Sequence, residues 1–121
     1  ELGWHPLVLT RDGRAGPLRH VEGVPMLQWH GDRFELPEGA TLLASTADTP
    51  PQAYAWGRSL AVQFHPEVDA EASEEWLIGN LVELDGLGVD VPELRRESAR
   101  RGDAAAMASV AMLRAWLRGL D

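Results

Sequence analysis

Residues 63–68 read Gln63-Phe64-His65-Pro66-Glu67-Val68 and close the strand-rich part of the chain. Side chains two positions apart on a strand point to the same face, so His65 and Glu67 are predicted to project together. Pro66 cannot donate to a strand ladder, and it favours an extended backbone at His65. The stretch therefore predicts an imidazole beside a carboxylate at a sheet edge.

Three interpretations fit this pair when it is read from spacing alone. A histidine oriented by a carboxylate is two-thirds of a nucleophilic triad, in which the imidazole serves as general base. Two unrelated polar residues at a strand end would look the same. A metal site with His30 and Asp32 as further ligands is a third interpretation, although nothing in the spacing selects a metal.

The residues before Val68 are typical of short strands separated by Gly and Pro turns. Asp12-Gly13 is interpreted as a turn that ends the first strand, and Gly57-Arg58 as the loop of a hairpin between the last two. The predicted strands cover residues 7–10, 25–29, 41–45, 53–56 and 59–64.

The residues after Val68 are typical of helices. Asp69 is predicted to cap a helix over residues 71–84, and a second helix is predicted over 92–101. Gly102-Asp103 is interpreted as a stop and a new cap before a third helix over 104–120. An apolar stripe on that last helix is predicted to pack in the core; it consists of Met107, Val110, Leu113, Leu117 and Leu120.

Composition limits the classes of function. The chain has 121 residues, 11 of them cationic and 19 acidic, which gives a net charge of −8 and argues against nucleic-acid binding. That length fits one domain or part of a larger one. No apolar run is long enough to span a bilayer and no signal peptide opens the chain, so a cytoplasmic location is expected. The cysteine count is zero, which excludes a cysteine nucleophile within these residues.

The segment Phe64-His65-Pro66-Glu67 resembles the His-Pro-Glu signature of class I glutamine amidotransferases. Further segments resemble the GMP-synthase-like members of that family in the same order, from about residue 1 to 76. Pro51 stands where those members usually have Asn. The matching segments are Glu1-Leu2-Gly3-Trp4, Trp29-His30-Gly31-Asp32, Leu36-Pro37-Glu38-Gly39-Ala40, Leu43-Ala44-Ser45 and Gln52-Ala53.

The resemblance implies a fold, a reaction and a set of site residues. The fold would be an open, flavodoxin-like α/β sheet with flanking helices. Residues 1–121 would form its carboxyl-terminal portion, strand-rich over 1–68 and helical over 69–121. In the family, a cysteine attacks the side-chain amide of glutamine, ammonia leaves, and a glutamyl thioester is hydrolysed. His65 would be the general base and acid, Glu67 would orient it, and Trp29, His30 and Gly31 would lie beside the substrate. No cofactor or metal is implied.

One departure from the family concerns the nucleophile. The family's cysteine lies upstream, in a Gly-x-Cys-x-Gly elbow, so these residues alone are expected to be inactive. Ser45 lacks a Gly-x-Ser-x-Gly elbow and is a poor substitute. The expected partners are glutamine and an amino-terminal half that carries the cysteine; a synthetase domain or subunit is compatible with the resemblance. Uncovered sheet edges would also favour homo-oligomers. A non-catalytic binding or regulatory module and a γ-glutamyl hydrolase remain as alternatives.

Overall fold

The computed structural model describes residues 1–120, which form a mixed α/β fold with two open antiparallel sheets. Its elements, in chain order, are β1 (Leu2–Pro6), β2 (Val8–Leu9), α1 (Arg11–Ala15), a 3₁₀ helix (Pro17–Val21), β3 (Pro25–Trp29), β4 (Thr41–Ser45), β5 (Ala53–Trp56), β6 (Ser59–Val62), α2 (Ala70–Gly79), α3 (Leu81–Gly86) and α4 (Val91–Arg118).

The smaller sheet pairs β1 with β3, and the larger one has the order β2-β4-β5-β6. The chain passes from the larger sheet to the smaller one directly after β6. The Gln63 amide donates to the Gln52 carbonyl at 2.8 Å, and the His65 amide then donates to the Leu27 carbonyl of β3 at 2.9 Å. This crossing ends β6 at Val62 rather than at residue 64, and it brings His65 beside the end of β3.

The strands predicted at 25–29, 41–45 and 53–56 are confirmed as β3, β4 and β5. The hairpin between β5 and β6 is also confirmed, and Gly57 in its loop has a φ of +59°, a conformation that favours glycine. The turn predicted at Asp12-Gly13 is wrong. Both residues lie in α1, because the Thr10 side chain caps that helix by accepting a hydrogen bond from the Gly13 amide.

The helix predicted over residues 71–84 is two helices. Asp69 caps α2 as predicted, through a hydrogen bond from the Ala72 amide to Asp69 Oδ1 at 2.8 Å. The break comes at Asn80, whose backbone leaves the helical conformation and whose side-chain amide donates to the Trp76 carbonyl at 2.8 Å. The side chain thus satisfies a carbonyl at the end of α2 and lets a new helix begin at Leu81.

The interruption predicted at Gly102-Asp103 is wrong, because α4 is one continuous helix of 28 residues. Gly102 is buried where α4 crosses the start of α2. A Cβ at this position would lie 2.5 Å from the Ala70 nitrogen, closer than real Cβ atoms approach. The glycine therefore serves a close contact between two helices and does not end either of them.

The apolar stripe on the last helix is also placed differently from the prediction. Met107, Val110, Leu113 and Leu117 are exposed, with Met107 76% accessible. α4 turns a different face to the core, whose buried positions also recur every three or four residues, so the predicted stripe points outward. The buried positions of α4 are Leu94, Ser98, Gly102, Ala105, Ser109 and Met112.

The core lies between α4, the 3₁₀ helix and the two sheets, and one buried polar contact fixes the position of α4. The Trp4 indole nitrogen of β1 donates to Ser98 Oγ of α4 at 2.9 Å. Phe64, directly before His65, is 2% exposed and anchors the crossing segment in the core. No helix within residues 1–120 is long and apolar enough to cross a membrane.

Candidate functional site

His65 and Glu67 form a hydrogen-bonded pair where the crossing segment ends. Nδ1 of His65 lies 2.7 Å from Oε1 of Glu67, so the side chains project together as their spacing predicts. The imidazole is 25% exposed and the carboxylate 57% exposed. Water therefore reaches both groups, and the pair contributes little to stability compared with a buried one.

The other ring nitrogen of His65 faces the end of β3. Nε2 lies 3.0 Å from the backbone carbonyl oxygen of Trp29. A carboxylate and a carbonyl are both acceptors, so the two bonds form together only when both ring nitrogens carry a proton. Each ring nitrogen of His65 therefore has one acceptor within hydrogen-bonding distance.

One tryptophan packs against the imidazole and against a second tryptophan. The ring centroids of His65 and Trp76 are 4.8 Å apart with planes at 82°, which is an edge-to-face contact. Trp76 also meets Trp29 edge-to-face, at 5.6 Å and 85°. One side chain of α2 therefore contacts both the imidazole and the residue whose carbonyl faces Nε2.

His30, the next residue after Trp29, belongs to a buried polar network. Its Nδ1 lies 2.9 Å from the backbone oxygen of Asp32, and its Nε2 lies 3.2 Å from Gln28 Oε1 and 3.5 Å from Glu1 Oε2. The His30 and Glu1 side chains are only 8% and 6% exposed. Burial lowers the pKa of His30, and this outweighs the opposing effects of the Asp32 carbonyl and the Glu1 carboxylate.

The Glu1 carboxylate is held by two further donors. Gln52 Nε2 donates to Glu1 Oε2 at 2.8 Å, and Thr46 Oγ1 donates to the same oxygen at 3.0 Å. Within the described residues, the buried atoms Glu1 Oε1, Gln28 Nε2 and Gln52 Oε1 have no hydrogen-bond partner. The network therefore fixes the turn after β3 while leaving some polar atoms of its own unsatisfied.

The structure thus separates the predicted site residues into two sets. Trp29 belongs with His65 and Glu67, because its carbonyl contacts His65 Nε2. The His30 ring instead points into the buried network. Gly31 lines an open polar cavity of about 360 Å³ together with His30, Asp32, Arg33, Glu1 and Thr49.

The metal interpretation is not supported by the residues present. His30 meets Asp32 through the backbone oxygen and not through the carboxylate. Among residues 1–120, no group of three or more His, Asp or Glu side chains is arranged to hold a metal ion.

Sequence reasoning did not assign roles to Trp76, Thr46 or Gln52. Trp76 has helical spacing from its neighbours, which indicates only core packing, and its contact with His65 depends on how α2 folds back. Gln52 and Thr46 are polar residues between apolar strand segments. Both are buried against the Glu1 carboxylate, and burial of a polar residue cannot be read from the sequence.

No family model matches the chain. The glutamine-hydrolyzing GMP synthase of Prochlorococcus marinus (strain MIT 9303) is 45% identical over 86 residues, which is 68% of this chain and 16% of that protein. A crystal structure of a glutamine amidotransferase from Thermotoga maritima superposes with a TM-score of 0.85 at 25% identity, over 97% of this chain and 50% of that one.

The chain is class I glutamine amidotransferase-like. A second crystal structure, of a glutamine amidotransferase from Methylobacillus flagellatus, shares the fold with a TM-score of 0.84 at 21% identity, over 98% of this chain and 52% of that one. The amidotransferase-like chain thus spans about half the length of these solved structures and a smaller part of the GMP synthase. The fold expected from the His-Pro-Glu resemblance is confirmed.

Proposed function

We propose that this chain supplies the histidine and the carboxylate of a glutamine-hydrolysing Cys-His-Glu triad, with His65 as general base and acid and Glu67 as the residue that orients it. The cysteine would come from the remainder of the amidotransferase domain, since this chain has none. The likeness to a glutamine-hydrolyzing GMP synthase and to glutamine amidotransferases supports the substrate class.

The observation that carries the proposal is the arrangement of the two ring nitrogens. Nδ1 lies 2.7 Å from the Glu67 carboxylate, and Nε2 lies 3.0 Å from the backbone carbonyl oxygen of Trp29. A base needs one nitrogen fixed by an orienting group and the other free to exchange partners. Partial exposure of the imidazole leaves room for a thiol to replace the Trp29 carbonyl at Nε2.

The reaction follows from that arrangement. Nε2 takes the thiol proton, and the thiolate adds to the glutamine amide carbon. The imidazolium returns its proton to the leaving nitrogen, so the C–N bond breaks, ammonia departs and a glutamyl thioester remains. Nε2 then takes a proton from water, whose oxygen attacks the thioester carbon. The C–S bond breaks, the imidazolium returns the proton to the cysteine sulfur, and glutamate is released.

Trp29, His30 and Gly31 are proposed to form the substrate side of this site, with His30 acting by holding the turn through its buried ring. Gly31 lines the polar cavity beside the turn, and the buried network under His30 holds the turn in place. The likeness to a GMP synthase makes a synthetase domain or subunit the natural recipient of the ammonia.

The test is glutaminase turnover in the complete polypeptide that carries this segment. His65→Ala removes the base, and turnover should fall by about 10²- to 10⁴-fold. Glu67→Gln keeps the base and loses only its orientation, so its loss should be smaller. Turnover near wild type in His65→Ala would contradict the proposal, and so would equal turnover when the upstream cysteine is replaced by serine.

A further inference from the structure

We infer that Trp76 is a positioning residue that holds the His65 imidazole in its working orientation. The inference rests on the proposed function of His65. It starts from two contacts of one side chain, the edge-to-face contact with His65 at 4.8 Å and the edge-to-face contact with Trp29 at 5.6 Å. Trp76 therefore packs against the base and against the residue that accepts from it.

Glu67 alone is a weak restraint on the ring. Its side chain is 57% exposed, so water competes for the carboxylate oxygens. The outer torsion of a histidine side chain is broad and has two main orientations related by a flip of the ring. A ring held only through Nδ1 can therefore leave its position when the carboxylate turns to solvent.

The hydrogen bond to the Trp29 carbonyl also cannot hold the ring during proton transfer. Nε2 has to leave the Trp29 carbonyl in order to exchange a proton with the nucleophile. The contact with Trp76 involves no hydrogen bond of either nitrogen, so it persists while Nε2 changes partners. The indole can also stabilise a protonated imidazole through its ring electrons.

Trp76 is itself fixed by the way α2 is anchored. Leu77, the next residue, is 1% exposed and lies in the core. At the start of α2, the Ala70 backbone lies so close to Gly102 of α4 that no Cβ fits between them. The Asn80 side chain donates to the Trp76 carbonyl at 2.8 Å. The indole is therefore presented to His65 by a helix with little freedom to shift.

The test compares W76L and W76F with W56L in the 121-residue chain. Trp56 is a matched control because it is 57% exposed on β5, where no contact with His65 occurs within the described residues. Nuclear Overhauser effects from the His65 ring protons report its orientation. In the wild type they should reach both Trp29 and Trp76. The effects to Trp29 should weaken in W76L, recover in W76F and stay unchanged in W56L.

Catalysis gives a second measurement, in the complete polypeptide. W76L should lower kcat about 3- to 10-fold with KM unchanged, and W76F should restore most of it. A merely structural role would lower the amount of folded protein and leave kcat per folded molecule intact, which a thermal unfolding curve separates. W76M serves as a second non-aromatic variant if W76L does not fold.

Three results would overturn the inference. They are the absence of contacts between Trp76 and His65 in the wild type, unchanged contacts between His65 and Trp29 in folded W76L or W76M, and unchanged kcat in the same variants. Failure of the proposed function looks different, because the wild-type polypeptide would then hydrolyse no glutamine while the nuclear Overhauser effects in the chain still responded to W76L.

Discussion

Two pairs of a histidine and a glutamate lie on either side of Trp29, and they differ in almost every physical respect. His65 and Glu67 are 2.7 Å apart and at least a quarter exposed, and His65 alone contacts the Trp29 carbonyl. His30 and Glu1 are 3.5 Å apart and almost fully buried, and amide and hydroxyl side chains surround them. The same two residue types thus occupy opposite environments, and we propose chemistry for the exposed pair and a structural role for the buried one.

The difference shows what an environment adds to a residue type. A buried carboxylate needs every hydrogen bond it can obtain, so Glu1 accepts from Gln52 and Thr46 and becomes part of the fold. An exposed carboxylate is solvated by water, so Glu67 does not depend on protein donors and holds an imidazole that is itself partly exposed. Removing parts of the buried pair should therefore cost stability, and removing parts of the exposed pair should cost turnover.

The largest effect on stability is expected from Thr46→Val, which keeps the side-chain volume and removes a donor to the buried Glu1 carboxylate. Hydrogen bonds to charged groups contribute about 1.5–3 kcal/mol, so the free energy of unfolding should fall by about 2–3 kcal/mol. Denaturant titration measures it. Thr41→Val at the start of β4 is the control, because Thr41 is exposed and its loss should change stability by less than about 0.5 kcal/mol. Equal effects at both positions would mean that the network does not support the fold.

Gly102→Ala should come next. The added Cβ would lie 2.5 Å from the Ala70 nitrogen, and neither helix backbone can yield cheaply. Overpacking costs about 1–3 kcal/mol, and the better helix propensity of Ala offsets about 1 kcal/mol of that cost. The short approach places the overpacking cost near 3 kcal/mol, so a net loss of about 2 kcal/mol is expected. Gly86→Ala meets no atom within 4 Å and should be neutral or slightly stabilising. A thermal unfolding series distinguishes the two, and a Gly102→Ala protein as stable as wild type would show that α2 can move away from α4.

A pH series separates the pairs further. The folded pKa of His30 is lowered by burial, so between that pKa and the unfolded value of about 6.5 the unfolded chain binds more protons than the folded one. This contribution to stability is present above about pH 6.5 and is lost as the pH falls through the folded pKa. Unfolding free energies measured from about pH 7 down to pH 5 should therefore decline, and His30→Gln should decline less. A slope that His30→Gln leaves unchanged would assign the pH dependence to other groups.

The smallest effect on stability is expected from Glu67→Gln. The side chain is exposed, and Gln still offers an oxygen to Nδ1, so the free energy of unfolding should change by less than about 0.5 kcal/mol. Chemical denaturation gives the value. A loss of several times that size would show that the pair near the surface has a structural role like the buried one.

The sequence predicted those parts of the fold that depend on local pattern. The strands at 25–29, 41–45 and 53–56, the Gly57-Arg58 hairpin loop and the Asp69 cap depend on neighbouring residues and came out as expected. The pairing of His65 with Glu67 is also local, since it follows from the alternation of side chains along an extended backbone.

The errors arose where distant contacts decide. The pair Gly102-Asp103 is typical of a helix end and a new cap, but Gly102 instead allows Ala70 of α2 to approach α4 closely. The large apolar side chains of α4 fit a core stripe by spacing, yet a different face of the helix is buried and Met107 is exposed to solvent. The buried environment of His30 depends on Glu1, Thr46 and Gln52, which lie far from it along the chain, so spacing alone did not predict that the His30 ring is buried.

The most direct test of this division is a crossed measurement on two variants of the complete polypeptide. Glutaminase turnover and the free energy of unfolding are measured for His65→Ala and for His30→Ala. His65→Ala should lose turnover by about 10²-fold or more and change stability by less than about 1 kcal/mol. His30→Ala should lose about 2–3 kcal/mol of stability, because it removes a buried ring together with its contacts to Gln28 Oε1 and the Asp32 carbonyl, while its folded fraction still turns over glutamine. The reverse pattern, with turnover lost only in His30→Ala and stability lost only in His65→Ala, would contradict the account.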